Sequence, residues 1–248
     1  MKRPFRSPTV SHIDIPSPAP RRRTRSLLLL SASFALLVAF TVLAVGVKHQ
    51  TLFVKADALC RDVLHEHASA SPEVAAVFAA VSELASRRAL WAEVAAMILA
   101  LLALRRWRTA IVCALACAGT GMGPMLKMWI DRARPLFVNP LVAEKTTSFP
   151  SSHAVGSTIV CGMLTYLCIK AVPRRWLTFV TLFGSLVALI GFSRVYLGAH
   201  WLSDVLAGEC FGLGWVLAWI ALAEAWVKPP ARPERGKIPL PSGRTAVR

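Results

Sequence analysis

Residues Ser26–Val47 read SLLLLSASFALLVAFTVLAVGV, a run of 22 residues without a charge. A transmembrane helix needs about 20 mainly apolar residues at about 1.5 Å rise each, so this run alone predicts a membrane span. The apolar core of a cleavable signal peptide is shorter, about 7–15 residues. A retained span is therefore expected, with cleavage after the small residues near Ala44 as the alternative. Further apolar runs follow at Ala89–Leu104, Thr109–Met128, His153–Ile169, Trp176–Phe192 and His200–Val227. The expectation is an all-α membrane protein with six transmembrane helices in a bundle. Between the first two spans, Ser71-Pro72-Glu73 reads as a helix start, with Ser71 at the N-cap and Pro72 in the first helical position. Val74–Ser86 beyond it is moderately apolar and suits a short amphipathic helix at the membrane interface.

Composition points the same way. Of 248 residues, 55% are hydrophobic and only 17% charged, with a mean hydropathy of +0.54. Soluble domains run about 45–50% apolar and about 25% charged. A disordered chain, a coiled coil, a collagen and a disulfide-stapled secreted module are excluded. The net charge is +16, and its location matters more than its size. Met1–Arg25 carries seven Lys/Arg and one acid, Asp14, and reads as a disordered cytoplasmic arm. Residues 26–227 form the membrane domain, and Lys228–Arg248, with six Lys/Arg and Glu234, a basic cytoplasmic tail. Basic flanks of apolar runs set topology and attract anionic lipid. Neither tail interleaves aromatics for base stacking, so no nucleic acid is expected as a partner. The cysteines form no C-x-x-C pair, and all except Cys60 lie in apolar runs, where cysteine acts as a small hydrophobe.

With the N-terminus inside and spans alternating, the two tails and the turns at Arg105–Arg108 and Lys170–Arg175 face the cytoplasm. These segments hold 19 of the 29 Lys/Arg, the positive-inside pattern. Trp107, Trp176 and Trp226 then fall near the inner boundary and Trp91, Trp129 and Trp201 near the outer one, while Trp215 and Trp219 sit mid-span as packing residues. The loops after spans three and five share the outward side.

Those two loops hold most of the ionisable residues that a membrane bundle has no other need of. His200 and Asp204, four apart, share one helical face. A carboxylate on one imidazole nitrogen fixes the tautomer and leaves the other nitrogen as nucleophile or base. Lys127, Arg134 and Arg194 supply three cations, enough to clamp a phosphate of nearly two negative charges. Ser151 offers a hydroxyl, and the start of span four offers free backbone N–H groups and a helix dipole. His153 is a second imidazole beside them. The set suits phosphoryl transfer through a phosphohistidine, with His153 as acid and then base. No carboxylate cluster stands ready to hold metal ions, so the fixed cations are expected to do that charge work, without a cofactor.

The spacing of these residues resembles a family. Lys127-Met-Trp-Ile-Asp-Arg-Ala-Arg134-Pro135 is similar to a K-x6-R-P motif, Pro150-Ser151-Ser152-His153 to P-S-G-H, and Ser193-Arg194-x5-His200-x3-Asp204 to S-R-x5-H-x3-D. Together, over about Trp91–Trp226, they resemble the type-2 phosphatidic acid phosphatase superfamily of integral-membrane lipid phosphatases. The resemblance implies a six-helix bundle with a metal-independent site at the outer membrane surface. It implies His200 as the nucleophile, Asp204 as its orienting carboxylate and His153 as the general acid. Lys127, Arg134, Ser151 and Arg194 would bind the phosphate, with Ser152 beside them. Ser152 stands where the family usually has Gly; it keeps the backbone N–H but adds a side chain.

The expected activity is hydrolysis of a lipid phosphomonoester or pyrophosphate on the outward leaflet. Substrate candidates are phosphatidic acid, phosphatidylglycerophosphate, undecaprenyl pyrophosphate and a lipid A phosphate. The expected setting, for a bacterial source, is the inner membrane, with both termini cytoplasmic and membrane lipids as the other partner. A lipid phosphotransferase with the same intermediate is one alternative. A catalytically silent membrane scaffold or transporter is another. A vanadate-dependent haloperoxidase shares the motifs but is soluble, and this chain is too apolar for it. His49, His65 and His67 read as surface or structural. Asp131 and Arg132 read as a surface pair outside the site. Gly119, Gly121 and Gly123 follow a helix rather than a strand, so close helix packing is expected there rather than a phosphate loop. Glu224 is expected to snorkel to the inner boundary, and Glu209 has no assigned role.

Overall fold

The structure, a computed structural model, describes residues 19–50, 53–137, 141–142 and 146–226. Among the described residues there are helices, turns and no strand. The elements in order are α1 (Ala19–Lys48), α2 (Val54–Ala70), α3 (Pro72–Glu83), α4 (Arg87–Ala103), α5 (Trp107–Ala118), α6 (Met122–Ile130), α7 (Ser152–Ala171), α8 (Trp176–Tyr196) and α9 (Leu202–Trp226). Five stretches are long and apolar enough to cross a membrane: Arg23–Lys48, Trp107–Ile130, Ser152–Ala171, Pro173–Tyr196 and Leu202–Glu224. The expected second span is α4, whose 17 residues reach only about 26 Å at 1.5 Å each, against a hydrocarbon core of about 30 Å. The helical membrane bundle is therefore observed, while six spans are not reached on length alone.

Several boundaries differ from expectation for identifiable reasons. The arm expected over residues 1–25 lies outside the described residues up to residue 18, and its end is already helical. α1 begins at Ala19 rather than Ser26 because Pro20 falls in the first turn, where proline is tolerated, and arginine is a good helix former. The expected tail, 228–248, lies outside the described residues. Two helices rather than one occupy the stretch before α4. They part at Ser71, because Pro72 disfavours helical backbone in the residue before it; Ser71 holds the N-cap position but its hydroxyl makes no cap bond. α8 runs on through Tyr196, so Ser193 and Arg194 lie on its last turn and not on a connection.

The third span is broken by one 3-10 turn, Gly119–Gly121, between α5 and α6. Trp215 of α9 lies against it: a Cβ on Gly119 would fall 2.4 Å from Trp215 Nε1, whose N–H donates to the Ala116 carbonyl at 2.8 Å. Gly123 meets Ser152, whereas Gly121 has open space. Two of the three glycines thus serve packing.

α9 is the central helix, packed along α1 and α7. Glycines set how closely. A Cβ on Gly208 would lie 2.9 Å from both Ala154 Cβ and the Ser151 carbonyl oxygen, and one on Gly212 would lie 2.9 Å from Thr158 Cβ. Four residues apart, these two share a face and let the backbones of α7 and α9 approach. Gly214 faces α1, where Ser33 Oγ donates to its carbonyl at 2.7 Å. The main core joins Met97, Val155, Ile159, Met163, Phe211 and Val216 from three helices, α4, α7 and α9. All six cysteines are free, and Cys113, Cys117 and Cys161 are buried. At the opposite end of α9 from Asp204, Glu224 is buried rather than snorkelling, ion-paired to Lys170 and accepting from Tyr166 Oη at 3.2 Å. Glu209 faces Gly191 of α8, where a Cβ would fall 2.5 Å from its Oε1.

Candidate active site

Three segments meet at one end of the bundle: the chain leaving α6, the chain entering α7, and the junction of α8 with α9. Each is aimed by local structure. α6 ends at Asp131 in the left-handed conformation (φ +31°), which turns the chain out of the helix. Arg132 and Arg134 follow, two apart, and so point to one side of a non-helical chain. They meet Asp204 and His200, the pair that shares a face at the head of α9. Ser151 caps α7, its Oγ accepting from Ala154 N at 3.5 Å, and Ser151 N donates to the Asp204 carbonyl at 3.1 Å. The first turn of α7 is thereby tied to the first turn of α9.

His200 is 2% exposed. Its Nδ1 lies 3.5 Å from Asp204 Oδ2 and 3.4 Å from Ser148 Oγ. Its Nε2 lies 3.2 Å from Arg134 Nη1. These partners assign the ring proton to Nδ1 and leave the Nε2 lone pair facing a cation. Burial lowers the His200 pKa to about 4, opposed by the Asp204 carboxylate and assisted by Arg134 and Arg194. The ring is therefore neutral at ordinary pH, as a nitrogen nucleophile must be.

Asp204 is fully buried, and both of its carboxylate oxygens accept hydrogen bonds. Ser148 Oγ donates to Oδ2, Trp201 N to Oδ2 at 3.0 Å, and Arg132 Nη1 to Oδ1 at 2.6 Å. Arg134 is held by carbonyls: Nε donates to Thr146 O at 2.6 Å and Nη1 to Ala199 O at 2.5 Å. Lys127 Nζ donates to Thr147 O at 2.6 Å and Thr146 Oγ1 at 3.1 Å. Arg194 is buried and donates from Nη1 to Ser82 Oγ of α3 at 2.6 Å.

A cavity of about 390 Å³ opens here, lined by Lys127, Arg134, Ser152, His153 and His200 on its polar side and by Leu90 and Trp91 of α4 among its apolar walls. Five of the eight residues expected from the sequence thus line one cavity. Asp204 stands behind His200. Ser151 is buried as a helix cap and Arg194 is buried against α3, and neither lines the cavity, though Arg194 lies within electrostatic reach of both His153 and His200. Arg132, read as half of a surface pair with Asp131, instead binds Asp204. Ser148, Thr146, Asp57 and Ser82 were not anticipated. For Arg132 the available signal was its spacing: two residues before Arg134, it had to share that side chain's direction in a non-helical segment. Among the described residues no three His, Cys, Asp or Glu side chains are grouped to hold a metal ion.

Comparison with known proteins adds an independent line. Residues 107–228 match the model of the PAP2 superfamily. Among curated proteins, the chain is 38% identical over 96 residues to phosphatidylglycerophosphatase B of Bacillus subtilis, covering 37% of this chain and 46% of that protein. It is 31% identical over 135 residues to undecaprenyl-diphosphatase of Sulfolobus acidocaldarius, covering 52% of this chain and 61% of that protein. The matches therefore span about half the length of these relatives. A crystal structure of a transmembrane PAP2-type phosphatidylglycerolphosphate phosphatase from Bacillus subtilis superposes with a TM-score of 0.69 at 27% identity, over 79% of this chain and 97% of that one.

Proposed function

The chain belongs to the PAP2 superfamily, and from that premise we propose that it is an integral-membrane lipid phosphate phosphohydrolase working through a phosphohistidine on His200. The observation that carries the reading is the placement of His200 Nε2, 3.2 Å from Arg134 Nη1, in a cavity it shares with Lys127 and His153. An anion there meets a neutral nucleophile and fixed cations at once.

The chemistry follows. Nε2 attacks phosphorus, the P–O bond to the lipid breaks, and the proton that the phosphate monoanion brings in passes through His153 to the departing oxygen. Asp204 stabilises the positive ring that forms. Water then attacks the phosphoryl group and gives its proton to His153, the P–N bond breaks, and inorganic phosphate leaves. Lys127, Arg134 and Arg194 bear the phosphate charge, with the first N–H groups of α7 at Ser152 and His153, which have no intrahelical acceptor. Ser151 contributes by capping that turn.

The relatives act, by their names, on phosphatidylglycerophosphate and undecaprenyl diphosphate, and both belong to the substrate class proposed here. Leu90 and Trp91 give the cavity an apolar wall for a lipid chain. α4 is read as a short sixth span, with both tails cytoplasmic and the cavity on the outward face. The test is phosphate release from phosphatidic acid, phosphatidylglycerophosphate and undecaprenyl diphosphate in detergent, with and without a chelator. His200→Ala should remove about 10³-fold or more of the activity, and the chelator should not. Full turnover by His200→Ala ends this reading; loss of activity with the chelator ends its metal-free form. Epitope tags at both tails should be inaccessible from outside intact cells.

A further inference from the structure

α2 stands outside the matched residues 107–228, yet it reaches the site. Asp57 on α2 is 2% exposed. Its Oδ1 accepts from Ser203 N at 2.9 Å. Its Oδ2 accepts from Ser203 Oγ at 2.6 Å and from Arg132 Nη2 at 2.7 Å. The other nitrogen of that guanidinium, Nη1, donates to Asp204 Oδ1 at 2.6 Å and to Ser203 Oγ at 2.8 Å. One arginine thus bridges two buried carboxylates, one against His200 and one remote from it.

The head of α9 explains why a remote carboxylate is needed. The residue before α9 is Trp201, in the N-cap position, whose side chain carries no acceptor. Asp204, three residues on, accepts from Trp201 N, which is the return half of a capping box. The forward half, an acceptor for the second helical N–H, comes from Asp57 on another helix. Two guanidiniums lie against the Trp201 ring, Arg61 at 5.5 Å and Arg132 at 5.1 Å from its centroid, and its Nε1 donates to Ala133 O at 2.9 Å. The arrangement leaves Asp204 one orientation, with Oδ2 turned toward His200.

We propose that Asp57 and Arg132 are positioning residues of the phosphoryl-transfer site, acting on His200 through Asp204. The proposal rests on the phosphatase reading. Arg132 alone would neutralise Asp204 and weaken its support of a positively charged ring. Asp57 restores one net negative charge to the cluster, so His200 still faces a carboxylate, now held from outside by the Arg132 Nη1 hydrogen bond. The other charged or titratable groups around His200 are Arg134, Lys127 on α6, Arg194 on α8 and His153 on α7. They are unaltered by the variants below.

The charge argument predicts shifts of opposite sign. Asp57→Asn leaves the cluster neutral, disfavours the imidazolium, and moves the acid limb of kcat/KM to lower pH. Arg132→Gln leaves two negative charges and moves it to higher pH. Each shift should be about half a pH unit, the size of one charge felt through a polar medium over several ångströms. Each single variant should lose about tenfold in kcat, with KM within about twofold. The double variant should return the limb to the wild-type position, with both partners of the pair removed. The measurement is the pH profile of the full-length protein in detergent on a short-chain phosphatidic acid, beside thermal unfolding of each variant. A structural role alone would lower the melting temperature and leave the limbs in place or move them together, and either result overturns the proposal. Ring-¹⁵N-histidine spectra, with His200→Ala identifying the signal, should give the same opposite shifts without turnover. They settle the positioning role even for a protein that releases no phosphate. Absence of turnover in the wild type, or full turnover in His200→Ala, counts against the phosphatase reading instead.

Discussion

Gly208→Ala adds one methyl group at the contact between α7 and α9. The added carbon would lie 2.9 Å from Ala154 Cβ, 2.9 Å from the Ser151 carbonyl oxygen and 3.2 Å from Val155 N. Carbon atoms rest at about 3.5–4.0 Å, and none of these three atoms can rotate away, because two are backbone and the third is a Cβ. The helices have to part by about 0.6–1 Å. Overpacking of this kind costs about 1–3 kcal/mol of stability. A catalytic cost comes with it, because the displaced turn of α7 carries His153 and donates from Ser151 N to the Asp204 carbonyl. A misplacement of about 1 Å in reacting groups lowers turnover by about 10²-fold. The assay is phosphate release from a detergent-solubilised lipid phosphate, read beside thermal unfolding. Gly184→Ala on α8 is the control, since nothing lies within 4 Å of its added Cβ; there the change should leave activity alone and stabilise by about 0.5–1 kcal/mol. If Gly208→Ala matches Gly184→Ala in both rate and melting temperature, the close approach of α7 and α9 is not what aligns the site.

Ser148→Ala removes the hydroxyl that donates to Asp204 and lies 3.4 Å from His200 Nδ1; a hydrogen bond to a charged group is worth about 1.5–3 kcal/mol, so kcat should fall about 10–100-fold with KM little changed in steady-state kinetics. With the His200 pKa at about 4, the acid limb of kcat/KM should lie well below the ordinary histidine value of about 6.5, and a limb at 6.5 would contradict a neutral buried ring. The same depression has a stability sign: the unfolded chain takes up the proton first, so stability from this group is complete above about pH 6.5 and is lost as pH falls toward 4, visible as a melting temperature declining through that window. Ser86→Ala removes the cap of α4, where Ser86 Oγ accepts from Ala89 N at 3.3 Å; it should cost about 1 kcal/mol and raise KM more than it lowers kcat, because Leu90 and Trp91 line the cavity without touching His200 chemistry.

What could be read from the sequence follows physical range. Uncharged runs such as Ser26–Val47 announce spans because burial in lipid is a property of a whole segment. The residues of the candidate site are legible because short stretches carry them at fixed spacing, and five of the eight expected do line one cavity. Long-range pairings are not legible. Nothing near Asp57 in the chain says that it accepts from Ser203 and Arg132, 146 and 75 residues away. Nor does Ser82 announce Arg194, 112 residues on. Asp131-Arg132 reads as a surface pair only while the left-handed residue at 131, which turns Arg132 inward, is unknown. Ser151 has the sequence of a phosphate ligand and the position of a helix cap, and the cap geometry takes its hydroxyl. The glycines of α9 carry no periodic apolar signal, so their role emerges only when the atoms opposite them are known.

The packing of α9 against α1, and its dependence on α2 at the opposite helix head, bears on engineering by exchange. A segment swap limited to residues 107–228 would bring in a foreign α9 to face Ser33 and Leu37 of the host and a foreign first turn to face Asp57. Such hybrids should assemble poorly unless the donor's own leading helices travel with the graft, so the smallest transplantable unit of this bundle begins at α1 rather than at the first recognisable motif.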